Sequence, residues 1–165
     1  MKSLLFLILC CIYANFSFAQ KKQSKIDEAL KTHLKCSVKT IRVHELARNF
    51  SDYVILDARE KKEYEVSHLK NAIRIGFSTP DFNVVEKLPK NTPIVVYCSI
   101  GVRSEKIGEK LLKMGYTNVQ NLYGSIFEWI NSGHEVYDSN GKATSKIHAY
   151  DTIWGQCLKK GQKVY

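Results

Sequence analysis

No Cys-x-x-Cys pair occurs in the 165 residues, which removes a thioredoxin-like dithiol from consideration. The histidines, His33, His44, His68, His134 and His148, are scattered without metal-ligand spacing, so no metal site is expected. An arginine-rich stripe interleaved with aromatics is also missing. Excess lysine is instead spread along the chain, with small clusters at Lys21-Lys22, Lys61-Lys62 and Lys159-Lys160. The formal charge of +9 therefore reads as a solvated basic surface with a modest pull on small anions, and no nucleic-acid partner is expected. Internal repeats and low-complexity tracts are absent. No apolar run is long enough for a stable membrane anchor: the longest, Leu4 to Ile12, is short for a span and is soon followed by Asn15 and Ser17.

What that run does fit is a secretory signal peptide over 1–19. Lys2 supplies the positive region, Leu4 to Ile12 the apolar region, and Ser17-Phe18-Ala19 a cleavage site before Gln20. The expected product is exported, periplasmic or secreted. Cleavage would remove Cys10 and Cys11 and leave Cys36, Cys98 and Cys157. The apolar fraction of 44% suffices for one packed core beyond that point. We divide the remainder into a polar segment or short helix at 20–35, a domain at 36–137 and an extension at 138–165. Ile26, Ala29, Leu30 and Leu34 give the first of these helical spacing. The extension carries Tyr150, Ile153, Trp154, Leu158 and Tyr165, too apolar for a disordered tail, so it should pack back on the domain.

Within the domain, short apolar runs alternate with amphipathic stretches. Strands are expected at Val38–Val43, Tyr53–Leu56, Ala72–Ile75, Ile94–Tyr97 and Val119–Leu122. Helices are expected at His44–Asn49, Lys61–Val66, from Pro80 through Leu88, at Ser104–Met114 and at Gly124–Asn131, with Gly115 as a left-handed stop. This alternation predicts an α/β fold around a mostly parallel sheet. Such sheets gather their sites at the carboxyl ends of strands, which places Asp57 and Cys98 on one edge.

Cys98 opens the loop Cys98-Ser99-Ile100-Gly101-Val102-Arg103-Ser104 between an apolar strand and a helix. A loop that becomes a helix N-terminus cradles anions, because its N–H groups converge and the helix dipole is positive there. A cysteine in that position favours its thiolate, which is the nucleophilic form. Gly101 permits the positive φ that closes the ring, and Ser104 is a good N-cap for the helix that follows. Arg103 has two readings: a fixed cation for the contents of the loop, or a surface charge paired with Glu105 or Glu109. Its place in the loop favours the first.

Several blocks in order resemble the rhodanese-like domain family. They are Val54-Ile55-Leu56-Asp57-Ala58-Arg59, then Glu63-Tyr64 with Ser67 to Ile73, then Ile94 to Cys98 with its loop, then Leu111 to Tyr116 and Leu122 to Ser125, with Trp129. The resemblance implies a small α/β domain and sulfurtransfer without a cofactor. The Cys98 thiolate takes the outer sulfur of thiosulfate or a related donor, holds it as a persulfide, and passes it to a thiol, protein-thiol or cyanide acceptor. Ser99, Ile100, Gly101, Val102, Arg103 and Ser104 would cradle that sulfur. The loop has six residues from Cys98 to Arg103, as in the sulfur-transferring members; the related phosphatases and arsenate reductases resemble it with seven. Asp57 and Arg59 match the family's Asp-x-Arg and read as architectural: Asp57 bonding loop amides, Arg59 pairing with Glu63 or Glu65. His68 reads as a structural hydrogen-bonder, and Ser67 stands where many relatives carry glycine. The alternative role is a non-catalytic binding or sulfur-carrier module.

Cys36 and Cys157 flank the matching region. An oxidising compartment permits a Cys36–Cys157 disulfide. Two buried unpaired thiols, or a Cys157 that resolves the Cys98 persulfide, are the other readings.

Overall fold

The computed structural model describes residues 24–165; the signal-peptide reading of 1–19 lies outside the described residues. Five parallel strands form the central sheet: β1 (Thr40–Ile41), β2 (Val54–Asp57), β3 (Ile73–Arg74), β4 (Ile94–Tyr97) and β5 (Val119–Leu122), in the spatial order β1-β5-β4-β2-β3. β4 lies at the centre and is buried along its whole length. Its alternation shows why. Ile94, Val96 and Cys98 face one apolar layer, whereas Val95 and Tyr97 face the other, so both faces of the strand are covered.

The helices are α1 (Lys25–His33), α2 (Val43–Arg48), α3 (Lys61–Val66), α4 (Val102–Lys113) and α5 (Ser125–Asn131). Ile107 and Leu111 of α4 pack on the Ile94/Val96 face. Ile26 and Leu30 of α1, Leu46 of α2, and Ile126, Phe127 and Ile130 of α5 pack on the other. The α1 helix begins with a capping box, in which Ser24 Oγ accepts the Asp27 amide at 3.1 Å and the Asp27 carboxylate accepts the Ser24 amide.

Three expectations change at their ends. The segment from Pro80 to Leu88 is a single 3₁₀ turn, Phe82–Val85, made of i→i+3 bonds and halted by Pro89. Val43 opens α2 because Glu45 reaches back to the Arg42 amide at 2.9 Å and ends the extended segment there. Helix α4 begins at Val102, with Gly101 (φ 130°) as its N-cap; Ser104 lies inside the first turn and does not cap it. Gly115 takes the left-handed conformation expected of it, φ 88°.

The extension returns to the domain. A hairpin, β6 (Val136–Tyr137) with β7 (Ala143–Thr144), is followed by β8 (Lys146–His148), which pairs in parallel with β9 (Gln162–Val164). Ile147 and Leu158 enter the core beside Ile130 and Trp129. Each such side chain contributes roughly 1.5–3 kcal/mol by leaving water, which suffices to hold the segment down. Asn131 fastens it further: its Nδ2 donates to the Cys157 carbonyl and its Oδ1 accepts the Lys159 amide. Cys36 and Cys157 form no disulfide. Cys36 is exposed after α1, whereas Cys157 is buried in the core, so neither the possible bridge nor the alternative of two buried thiols describes the pair.

Candidate active site

Strand β4 ends in the buried core, and the chain turns at once into the loop 98–103. Two neighbouring elements fix this turn. The first residues of α5 offer unsatisfied amides, and the loop's carbonyls take them: Ile126 N donates to Cys98 O and Phe127 N to Ser99 O, both at 3.2 Å. Ser125 adopts φ 50°, unusual for a residue with a side chain, and so brings its Oγ to the Cys98 amide at 3.0 Å. Gly124 before it must be glycine, since a Cβ there would lie 2.5 Å from Glu128 Cβ.

The second support is Asn121 of β5, fully buried. Its Nδ2 donates to the Gly101 carbonyl at 2.9 Å, and its Oδ1 accepts from Ser104 Oγ at 2.7 Å. Holding the Gly101 carbonyl on Asn121 keeps that oxygen off the sulfur. The Gly101 amide donates to Cys98 Sγ at 3.1 Å. Nothing in the sequence singles out Asn121, and Ser125 is marked only as the end of a family block, because each acts on the loop from a separate strand or helix.

Arg103 lines the same cavity as the sulfur, and both of its terminal nitrogens are bonded. Its Nη1 and Nη2 each donate to a Glu63 carboxylate oxygen at 2.7 Å, and Nη2 also donates to Ser99 Oγ at 3.0 Å. Glu63, on α3, is almost completely buried. The reading of Arg103 as paired with Glu105 or Glu109 does not hold: Glu105 accepts the Lys35 and Ser37 amides, and Glu109 accepts Ser37 Oγ. Arg59 is corrected too. It pairs with Asp57, not with Glu63 or Glu65, through Nε and Nη2, and donates to the Ser67 carbonyl at 2.7 Å. Asp57 spends its carboxylate on Arg59 and does not bond the amides of the Cys98 loop. His68 packs flat on Tyr64, with Nδ1 3.1 Å from the Tyr64 carbonyl, away from the sulfur.

Burial alone raises the Cys98 pKa. The charge of Arg103 and the hydrogen bonds from Ser104 and the Gly101 amide outweigh it, and the thiol is held below its ordinary value. The Ser104 hydroxyl has one proton and two acceptors, Asn121 and the sulfur; ionising the sulfur favours the second. Burial instead lifts the Cys157 thiol. Alkylation of Cys98 by iodoacetamide should therefore titrate with a midpoint below that of an ordinary cysteine. Arg103→Met should move this midpoint up by about one pH unit or more, since it removes a cation and leaves the Glu63 carboxylate unpaired nearby. Equal midpoints in the two proteins would exclude this account.

Above the sulfur lies a cavity of ≈ 150 Å³ lined by Cys98, Ser99, Ile100, Val102 and Arg103 of the loop, and by His33, Tyr150 and Trp154. Cys157 does not line it, which leaves the resolving-thiol reading without support. Of the expected loop residues, Gly101 and Ser104 reach the sulfur from below, through the bonds above. Among the described residues there is no cluster of His, Cys, Asp or Glu able to hold a metal.

This geometry has relatives. The family model "Rhodanese-like domain" matches residues 42–132, more than half of the chain. The thiosulfate sulfurtransferase GlpE of Coxiella burnetii is 32% identical over 89 residues, 54% of this chain and 81% of that protein. The adenylyltransferase and sulfurtransferase UBA4 of Meyerozyma guilliermondii is 36% identical over 98 residues, but these are 54% of this chain and only 23% of that one. Among solved structures, a rhodanese-related protein from Thermoplasma volcanium superposes with a TM-score of 0.51 at 31% identity, covering 59% of this chain and 96% of the other. The family-model match over residues 42–132, which holds four strands of the parallel sheet and the cysteine loop at the carboxyl end of its central strand, places the chain in the rhodanese-like domain family.

Proposed function

We propose that this protein is a sulfurtransferase that carries sulfane sulfur on Cys98. The observation that carries the reading is the thiol itself: it sits at the floor of a cavity, accepts the Gly101 amide at 3.1 Å and is biased towards its thiolate. The thiolate attacks the outer sulfur of thiosulfate or a similar donor. A sulfur–sulfur bond forms to Cys98, the donor's own sulfur–sulfur bond breaks, and sulfite leaves with the electron pair. The persulfide sulfur is then attacked by a thiolate or cyanide, and the electron pair returns to Cys98. Loop amides and the N-terminus of α4 hold the negative charge in both states. The chemistry needs no cofactor.

The sequence of residues 1–19 supports export to the periplasm or beyond. Intact-mass measurement on protein recovered from that fraction and treated with thiosulfate reads both proposals. The expected species starts at Gln20 and gains the mass of one sulfur on Cys98. No adduct with any donor would favour a binding module, and an adduct with negligible turnover a sulfur carrier.

A further inference from the structure

Three groups over Cys98 lie outside the family match at 42–132: His33 at the end of α1, and Tyr150 and Trp154 from the extension. They form one wall. The His33 and Trp154 rings meet edge to face, 5.4 Å apart, and the Tyr150 ring lies over the Arg103 guanidinium at 4.8 Å. The Tyr150 backbone is left-handed, φ 67°, and its amide donates to Nδ1 of the buried His148 at 3.1 Å. A bulky residue adopts that conformation only where its surroundings enforce it.

The wall changes what the cavity accepts. Inorganic thiosulfate is a compact dianion that seeks a free cation. Arg103, the cation beside the sulfur, already has its charge paired with the Glu63 carboxylate through both terminal nitrogens, Ser99 on one of them and Tyr150 on its face. The remaining surface is largely apolar and aromatic, from Ile100, Val102, Tyr150 and Trp154. A cavity of ≈ 150 Å³ is the size that takes a benzene ring.

We infer that the Tyr150–Trp154 wall selects organic sulfane-sulfur donors, in which the outer sulfur is attached to an alkyl- or aryl-bearing group, over the thiosulfate dianion. The inference rests on the sulfurtransfer reading of Cys98. In the reaction of an aryl thiosulfonate, the Cys98 thiolate bonds to the outer sulfur, the sulfur–sulfur bond of the donor breaks, and the aryl sulfinate leaves with the electron pair. The aryl group rests between Tyr150 and Trp154 while the loop amides hold the transferred sulfur.

The test compares benzenethiosulfonate with thiosulfate, each with cyanide as acceptor, in the full mature chain. The wild-type kcat/KM should favour the aryl donor at least about tenfold, the order an apolar contact supplies. Trp154→Ala and Tyr150→Ala should each lower that preference severalfold or more, and Tyr150→Phe, which keeps the ring, should retain it. Persulfide loading of Cys98, followed by mass, reports that each variant is folded and reactive. Loading by both donors with no aryl preference, or a preference unmoved by Trp154→Ala and Tyr150→Ala, overturns the selection and leaves sulfurtransfer standing. Failure of both donors to load wild-type Cys98 overturns the selection and the sulfurtransfer reading together.

Discussion

Cys98→Ser should abolish thiosulfate-to-cyanide transfer, lowering turnover by at least about 10⁴-fold, the order of effect when a covalent nucleophile is removed. It should also leave the fold intact. Serine is close in size to cysteine, and the groups that hold this position bind its backbone: Ser125 Oγ on the amide and the Ile126 amide on the carbonyl. The loss is chemical. A serine hydroxyl has a far higher pKa than a thiol, and the loop that lowers the Cys98 pKa cannot bring an alkoxide into range. Its oxygen therefore cannot take up the outer sulfur. Steady-state turnover, circular dichroism and the mass of donor-treated protein check the three parts together. A Cys98→Ser variant that still turned over would move the sulfur-carrying group elsewhere. The two remaining described thiols are Cys36, exposed after α1, and Cys157, in the core and outside the cavity.

The sheet and the loop were legible in the sequence because both rest on local patterns. Ile94-Val95-Val96-Tyr97 is apolar at every position, as a strand covered on both faces must be, and Cys98 follows it directly. The α3 helix, Lys61–Val66, and strand β5, Val119–Leu122, fall where the periodicity puts them. What stayed hidden is the set of partners. Glu63 is visible as a member of a family block, yet its charge can be given to Arg59 as readily as to Arg103. The choice depends on α3 lying beside the loop rather than on spacing. Asn121 occupies an inward position of a strand that otherwise reads as core, and nothing local marks it as a loop support. Tyr150 and Trp154 read as apolar residues that should pack. The extension does pack back, through Ile147 and Leu158, but Tyr150 stays 47% exposed and, with Trp154, lines the mouth of the site. Long-range placement of this kind is set by tertiary packing, on which short-range pattern is silent.

Arg59→Met should destabilise the protein by about 3–5 kcal/mol, because it leaves the Asp57 carboxylate buried without its partner. Both side chains are 0% exposed. Arg59 gives Nε and Nη2 to Asp57 and Nη2 also to the Ser67 carbonyl, so one guanidinium joins the end of β2 to the turn after α3. Tyr97, beside Asp57 in register, accepts the Leu69 amide through its hydroxyl at 3.1 Å and secures the same turn. For a chain of this length the loss corresponds to a fall in Tm of roughly 6–20 °C. Arg59→Lys should recover little of it, since an ammonium cannot fork to a carboxylate and a carbonyl together. The double variant Asp57→Asn/Arg59→Met separates the cost of breaking the pair from its net worth. Among the described residues Arg59 Nη1 finds no hydrogen-bond partner, so the intact pair is itself incompletely compensated. The double variant should therefore be more stable than Arg59→Met alone, despite carrying one more substitution. Denaturant unfolding of the four proteins closes the cycle. Additive losses would mean that the two residues act independently, and would remove the pair as the fastener between β2 and the turn that supports the strand beneath Cys98.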